Sequence, residues 1–465
     1  MLKKSLYLRI HIYIFIYMKA TLLIVLLLLV VGWPMPVAAG MAKATLDEAL
    51  QAALGEHPLL LAARADVAAK DAAYRASASQ YLPRLTLSET FYATNEPAGS
   101  LFINLNQEKL ALSPTADAYN DPPDRHDFET RLSLTQPLFD PAVYYGKERA
   151  SVTQQMATDL LQRQREETAY AVLRAYLDVQ KSTARLDWAG QYLAEAEEVL
   201  SLSRERETAG VGLHADTLRS EVLLYDAKRN LLSSTNDLTM ARSRLAVAMG
   251  RPDGEIDIAA PLRPNWLPVP SVTGVLQRGD LDALSSQVRE SELAAKQQWS
   301  SYLPKAGLQA SYILHDEDTP FGAEAEAWSV SAGLQWMIFD FSERSHLLKQ
   351  ARARQRALEL QRDDRMRQAH LEIRAAVLKA GEAEALLELA RGSHAASDAA
   401  RKVVVERFTA GLATLSELLE VQAELARSRS ALAEAEVNLV TTRANIHYQE
   451  GSLLGALKIQ SEDQP

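Results

Sequence analysis

The sequence predicts a mainly α-helical, exported protein built from a duplicated helix–strand–strand–helix–turn–helix unit whose strands form a membrane β-barrel portion. Three observations predict it. An apolar leader opens the chain, long proline-free segments rich in Ala, Leu, Glu, Arg and Gln fill most of it, and three landmarks recur in the same order in both halves. Only 20 glycines and 18 prolines punctuate 465 residues, which favours long helices over the about three ordinary domains that the length allows.

The leader sets the compartment. Thr21 to Val31, "TLLIVLLLLVV", is an apolar run of signal-peptide length, followed by small residues at "VAAG" (Val37 to Gly40). Read from Met18, the segment is an ordinary secretory signal with one lysine before its apolar core, so Met18 is the expected start and residues 1–39 the expected signal peptide. These residues hold Lys3, Lys4, Arg9 and Lys19 and no acid, so their removal takes the net charge from −10 to −14. The alternative is an uncleaved anchor, for which the apolar run is short. No later segment has about 18 consecutive apolar residues, so any further membrane crossing must use strands. The absence of cysteine excludes disulfides, thiolate metal sites and lipid attachment through an N-terminal cysteine. The acidic balance is not that of a nucleic-acid binder.

The duplication is read from spacing. "SQYLPRLTLSETF" (from Ser79) recurs as "SSYLPKAGLQASY" (from Ser300), "LTQPLFDP" (from Leu134) as "LQWMIFDF" (from Leu334), and "RETAGVGLHADTL" (from Arg206) as "RFTAGLATLSELL" (from Arg407). Tyr81 maps to Tyr302, Phe139 to Phe339 and Gly210 to Gly411, offsets of 221, 200 and 201. The fall in offset places about 20 extra residues between the first two strands. The first repeat covers 40–260 and the second 271–455. The proline-rich 261–270 reads as an extended linker, and 456–465 as a polar tail.

Each element has a local reason. Thr45 to Gln80 is alanine-rich, with Thr45 or Asp47 as N-cap, and reads as one helix ending before Pro83. Residues 84–93 alternate Leu85, Leu87, Phe91 and Ala93 with Arg84, Thr86, Ser88 and Thr90. Residues 128–138 set Phe128, Leu132, Leu134 and Leu138 against Glu129, Arg131, Ser133 and Thr135. Residues 305–314 and 328–338 repeat the pattern, Trp328 to Ile338 opposing apolar side chains to Ser329, Ser331 and Gln335. A period of two over about ten residues, with aromatics towards the ends of the apolar face, is what a tilted strand in lipid needs. Pro141 to Thr208 and Phe341 to Ala410 then allow proline-free rods about 100 Å long, with narrow alanine-rich seams suited to coiled-coil packing. Helix turns follow at about 208–214 and 409–415. The charge run "RARQRALELQRDDRMRQ" (from Arg352) reads as a solvated helix face. A four-stranded sheet leaves two edges unpaired in hydrocarbon, and barrels start at about eight strands, so several chains must close one barrel.

With these features in hand, the chain resembles the TolC family of outer-membrane efflux proteins over about Thr45 to Gly455. The carriers are the duplicated unit, the Tyr-Leu-Pro before a strand, and the Gly-x-x-x-x-x-Asp/Glu-x-Leu after each turn. The resemblance implies an outer-membrane homotrimer whose strands make a twelve-stranded barrel, continued into the periplasm by a long α-helical barrel. It implies a tunnel fed by an inner-membrane transporter and a periplasmic adaptor (membrane fusion) protein, with outer-membrane lipid around the barrel and no cofactor. Function follows as the exit duct of a tripartite efflux pump for small molecules or ions. A type I secretion channel for protein, or an exported helical scaffold outside the membrane, is the alternative.

The resemblance also implies roles. Thr208, Ala209, Gly210 and Val211, with Thr409, Ala410, Gly411 and Leu412, are the implied adaptor-docking tips. Asp216 matches a latch aspartate, and Glu417 and Glu420 match paired acids at the pore constriction. A tyrosine and an arginine are expected in that latch where this chain has Phe408 and Ala413. No phosphate loop, H-E-x-x-H or G-x-S-x-G motif occurs, so an enzyme is not expected. "HDEDTP" (His315 to Pro320) reads as a solvated loop between strands rather than a cation site.

Overall fold

The computed structural model describes residues 42–111, 120–251, 254–267 and 276–459. The expected signal peptide, the last three residues of the proline-rich segment and most of the polar tail lie outside them.

The Thr45 hydroxyl accepts from the Glu48 amide at 3.3 Å, and the Glu48 carboxylate accepts from the Thr45 amide at 2.8 Å. This reciprocal cap starts α1 (Leu46–Glu56). The helix expected to run unbroken from Thr45 to Gln80 is two helices, because Pro58 has no amide hydrogen to continue the ladder. His57 turns extended, and its Nδ1 accepts from the Leu59 amide to cap α2 (Pro58–Ser79). Ahead of α1, β1 (Ala42–Ala44) pairs in parallel with β4 (Ile256–Ile258); strands of three residues are too short for a periodicity to mark them.

The main sheet is antiparallel, in the order β2 (Arg84–Thr94), β3 (Arg125–Phe139), β5 (Lys305–Asp316), β6 (Ala325–Gln335). Register puts Thr86, Ser133, Ser311 and Ser329 in one cross-strand row and Leu87, Leu132, Tyr312 and Trp328 in the next. One face is therefore polar. The other carries Leu85, Leu87, Phe91, Trp328, Val330 and Leu334, all exposed on the single chain. An apolar face of this kind needs lipid or another subunit against it.

Three details differ from the sequence reading. β6 stops at Gln335 rather than Ile338, because Gln335 already pairs with Lys305, the first residue of β5, and Trp336 to Ile338 run past their partner. His315 and Asp316, expected in a loop, close β5. The segment between β2 and β3 carries a helix, α3 (Pro97–Asn106).

Two unbroken rods follow the strand pairs: α4 (Pro141–Thr208), 68 residues, and α7 (Glu343–Thr409), 67 residues, each about 100 Å long. α5 (His214–Ala248) and α8 (Leu415–Glu450) return along them. Just past the end of α5 stands Gly250 (φ +80°), where a Cβ would lie 2.8 Å from the His57 Cα at the head of α2. α8 ends at Gly451 (φ +78°) against the residues that lead into α6 (Gly279–Ser300), and the Gln277 amide donates to the Glu450 carbonyl at 2.8 Å. Two composite helices, α5 with α2 and α8 with α6, thus lie beside the two rods. These close approaches require glycine.

The largest buried cluster sits at this waist and includes Leu50, Leu173, Tyr176, Leu245, Ile256 and Leu453, the last opening α9 (Leu453–Ala456). Leu267 is buried in it too, and Leu262 exchanges two hydrogen bonds with the Gln180 side chain. The described part of the proline-rich segment is therefore clamped to α4 rather than loosely extended. Among the described residues, no helix is long and apolar enough to cross a membrane.

Candidate functional site: the two hairpin turns

At the end far from the sheet the chain reverses twice in the same way. Gly210 (φ +76°) and Gly411 (φ +78°) hold the left-handed conformation that a Cβ penalises. The Val211 amide donates to the Arg206 carbonyl at 3.0 Å, and the Leu412 amide to the Arg407 carbonyl at 2.7 Å, closing each helix end. Thr208 and Thr409 donate their hydroxyls back to Arg204 and Glu406 carbonyls of their own helices. All eight turn residues, Thr208 to Val211 and Thr409 to Leu412, are exposed. Val211 and Leu412 are 71% and 70% accessible, so apolar side chains are what the turns present outward.

Behind matching turns the hairpin interiors differ in polarity. In the first, Glu207 Oε1 lies 2.8 Å from His214 Nδ1, and Oε2 accepts from the Thr217 hydroxyl at 2.5 Å. The bonds from Thr217 and then His214 hold the Glu207 carboxyl below the usual carboxylate range. One turn higher, the Ser203 and Ser220 hydroxyls share a buried 2.8 Å bond. At an offset of 201 the second hairpin places Phe408, Leu415, Leu418, Val404 and Val421, which pack together with Val199. Comparison of the halves residue by residue carries that signal.

Arg206 joins the hairpins. Its guanidinium lies 4.9 Å from the Phe408 ring centroid, and its Nη1 donates to the Phe408 carbonyl at 2.9 Å. Further up the bundle Glu195 pairs with Arg401 at 3.3 Å and Arg429 at 3.5 Å, and the Arg429 guanidinium covers the Trp188 ring at 4.9 Å. Sequence pattern alone marks neither contact, although Arg206 belongs to the repeated Arg-x-Thr-Ala-Gly.

The acids fall apart into two environments. The Asp216 carboxylate is 3.9 Å from Arg219 on its own helix, a weak pair that ties no second hairpin. Phe408 is buried and Ala413 packs at the edge of the same cluster, so apolar contact occupies the positions of the expected tyrosine and arginine. Glu417 and Glu420 are exposed and three residues apart on α8, hence on one helix face. Neither forms an ion pair among the described residues. No group of three or more His, Asp or Glu there could hold a metal ion.

A sheet with one lipid-compatible face and two open edges, carried on rod-length hairpins with bare apolar turns, defines a membrane channel with a helical extension. The chain belongs to the outer membrane efflux protein family, whose sequence model matches residues 49–251 and 275–448. It is 23% identical over 358 residues to the alkaline protease secretion protein AprF of Pseudomonas aeruginosa, 74% of each chain. Among solved structures, the outer-membrane channel OprN matches with TM-score 0.75 and 19% identity, over 90% of this chain and 96% of that one. A membrane protein from Pseudomonas aeruginosa matches with TM-score 0.77 and 18% identity, over 90% and 98%. The protein is an outer-membrane channel with a periplasmic helical extension, and its family is one of channels rather than enzymes. A scaffold that never enters the membrane is set aside.

Proposed function

We propose that three copies of this chain close one twelve-stranded barrel and one helical tunnel, the exit duct of a tripartite efflux pump for small molecules or ions. The observation that carries this reading is the open-edged, two-faced sheet. β2 and β6 leave backbone groups unpaired, which lipid cannot satisfy, and only strands of further copies can. The polar face then lines the pore and the apolar face meets lipid. The exposed turns Thr208 to Val211 and Thr409 to Leu412 receive a periplasmic adaptor linked to an inner-membrane transporter, and Glu417 and Glu420 ring the constriction. The relation to AprF favours one second reading, a type I secretion channel whose cargo is a protein.

Protease added to whole cells tests the orientation. Cleavage within 95–111 or 317–324, with the hairpin turns protected, is the expected result; protection of both loops with cleavage at the turns would invert it. Loss of the gene separates the two cargos: sensitivity to small toxic solutes supports the pump, whereas disappearance of one secreted protein supports the secretion channel.

A further inference from the structure

The loop end of the sheet holds three polar side chains that are almost wholly buried: Gln107 (3% exposed), Asp127 (2%) and His315 (3%). Gln107 Nε2 donates to Asp127 Oδ1 at 3.0 Å and to the His126 carbonyl at 2.8 Å, and Asp127 Oδ2 lies 2.8 Å from His315 Nδ1. Strand register fixes the side on which this happens. Phe128 faces the apolar side, its ring 4.8 Å from that of Phe91, so its neighbour Asp127 belongs to the polar face with Glu129 and Arg131. His315 pairs with Glu129 and shares that face.

Gln107 follows α3 directly, so α3 is anchored on the polar side of the sheet. The helix leaves edge strand β2, packs on β3 and reaches β6 at the opposite edge. Its 10 residues span about 15 Å. Three strand spacings span about 14 Å. A second anchor ties it to the other loop: Lys109 Nζ lies 3.0 Å from Glu317 Oε2 and 2.5 Å from Glu324 Oε2, both between β5 and β6. Ile103 is buried beneath the helix, and the Ser100 hydroxyl donates to the Thr94 carbonyl at 3.3 Å.

We propose that α3, held by Gln107 and Lys109, caps the outer mouth of the pore and sets the size of solute that enters from outside. It is a second constriction, independent of the hairpin turns, and it rests on the proposed reading of the polar face as pore wall. Gln107 keeps the buried Asp127 satisfied, whereas Lys109 is a more exposed clamp; loss of both frees the helix from the rim.

The chain has no cysteine, so a single introduced one reports its own position. Ser311→Cys lies on the polar face below the cap. In whole cells a small charged maleimide should label it and a bulky polyethylene-glycol maleimide should not. Adding Gln107→Ala with Lys109→Ala should raise bulky labelling about tenfold. Glu317→Gln with Glu324→Gln leaves the buried triad intact, guards against misfolding, and should give a smaller rise. Bulky labelling that neither pair of substitutions changes would overturn the cap. Glu96→Cys, on the exposed approach to α3, is the control. If it labels and Ser311→Cys does not respond, the cap alone fails. If Glu96→Cys resists both reagents, the loops do not face outside, and the orientation and the cap fail together.

Discussion

The Arg206 guanidinium covers the Phe408 ring at 4.9 Å while its Nη1 holds the Phe408 carbonyl at 2.9 Å, so a side chain of the first hairpin turn grips the backbone of the second. Phe408 in turn fills the apolar interior of its own hairpin, against Leu415 and Leu418. Within one chain, the two turns are therefore held together by one buried aromatic and one cation, and the only ion pair of Asp216 among the described residues is with Arg219 of its own helix.

Truncating these groups should open the tip in a definite order. Phe408→Ala removes a buried ring and should cost the local packing about 3 kcal/mol. Arg206→Ala should cost about 1 kcal/mol. Asp216→Ala should do little, since its partner Arg219 lies on the same helix. Resting conductance in planar bilayers should rise in that order. A large rise from Asp216→Ala alone would place the latch elsewhere.

Glu417 and Glu420 stand on one exposed helix face, and closure of three chains would gather their carboxylates around the axis. Rings of carboxylates attract cations and raise the barrier to anions. Glu417→Gln with Glu420→Gln should lower cation preference, read as a shift of reversal potential in a salt gradient, and leave assembly intact. Unchanged selectivity would remove these acids from the constriction.

Glu166 gives the waist a pH dependence. It is buried, and burial pushes its carboxyl up to about 7 against the opposing hydrogen bonds from the Leu454 and Leu453 amides. Its unfolded value is near 4.5, so between about 4.5 and about 7 the folded chain holds a proton that the unfolded chain releases, and stability falls as pH rises through that window. The loss is at most about 3 kcal/mol. Apparent Tm of the wild type should decline from pH 4.5 to pH 7, while Glu166→Gln should give a flatter profile. Parallel profiles would show that Glu166 does not titrate there.

What was legible in the sequence was what local patterns encode. Alternation marked the four strands, proline-free runs marked the rods, and the offset of 201 marked Gly210 and Gly411. The same offset links Gly250 to Gly451, yet their role depends on helices arriving from distant parts of the chain, which spacing does not show. The end of β6 likewise depends on where β5 begins. Pro58 did carry a local signal, the break between α1 and α2, which the surrounding alanine run hides. At the hairpins the turns were readable, whereas the Arg206–Phe408 grip and the Glu207–His214–Thr217 seal arise only when two helices meet.

The mass of the detergent-solubilised complex shows directly whether several chains close one barrel. Four strands per chain cannot close, and the apolar face of the sheet is bare on a single copy. The expected result is a complex of three protomers, stable in mild detergent and lost together with the barrel on heating. A stable, folded monomer would contradict it.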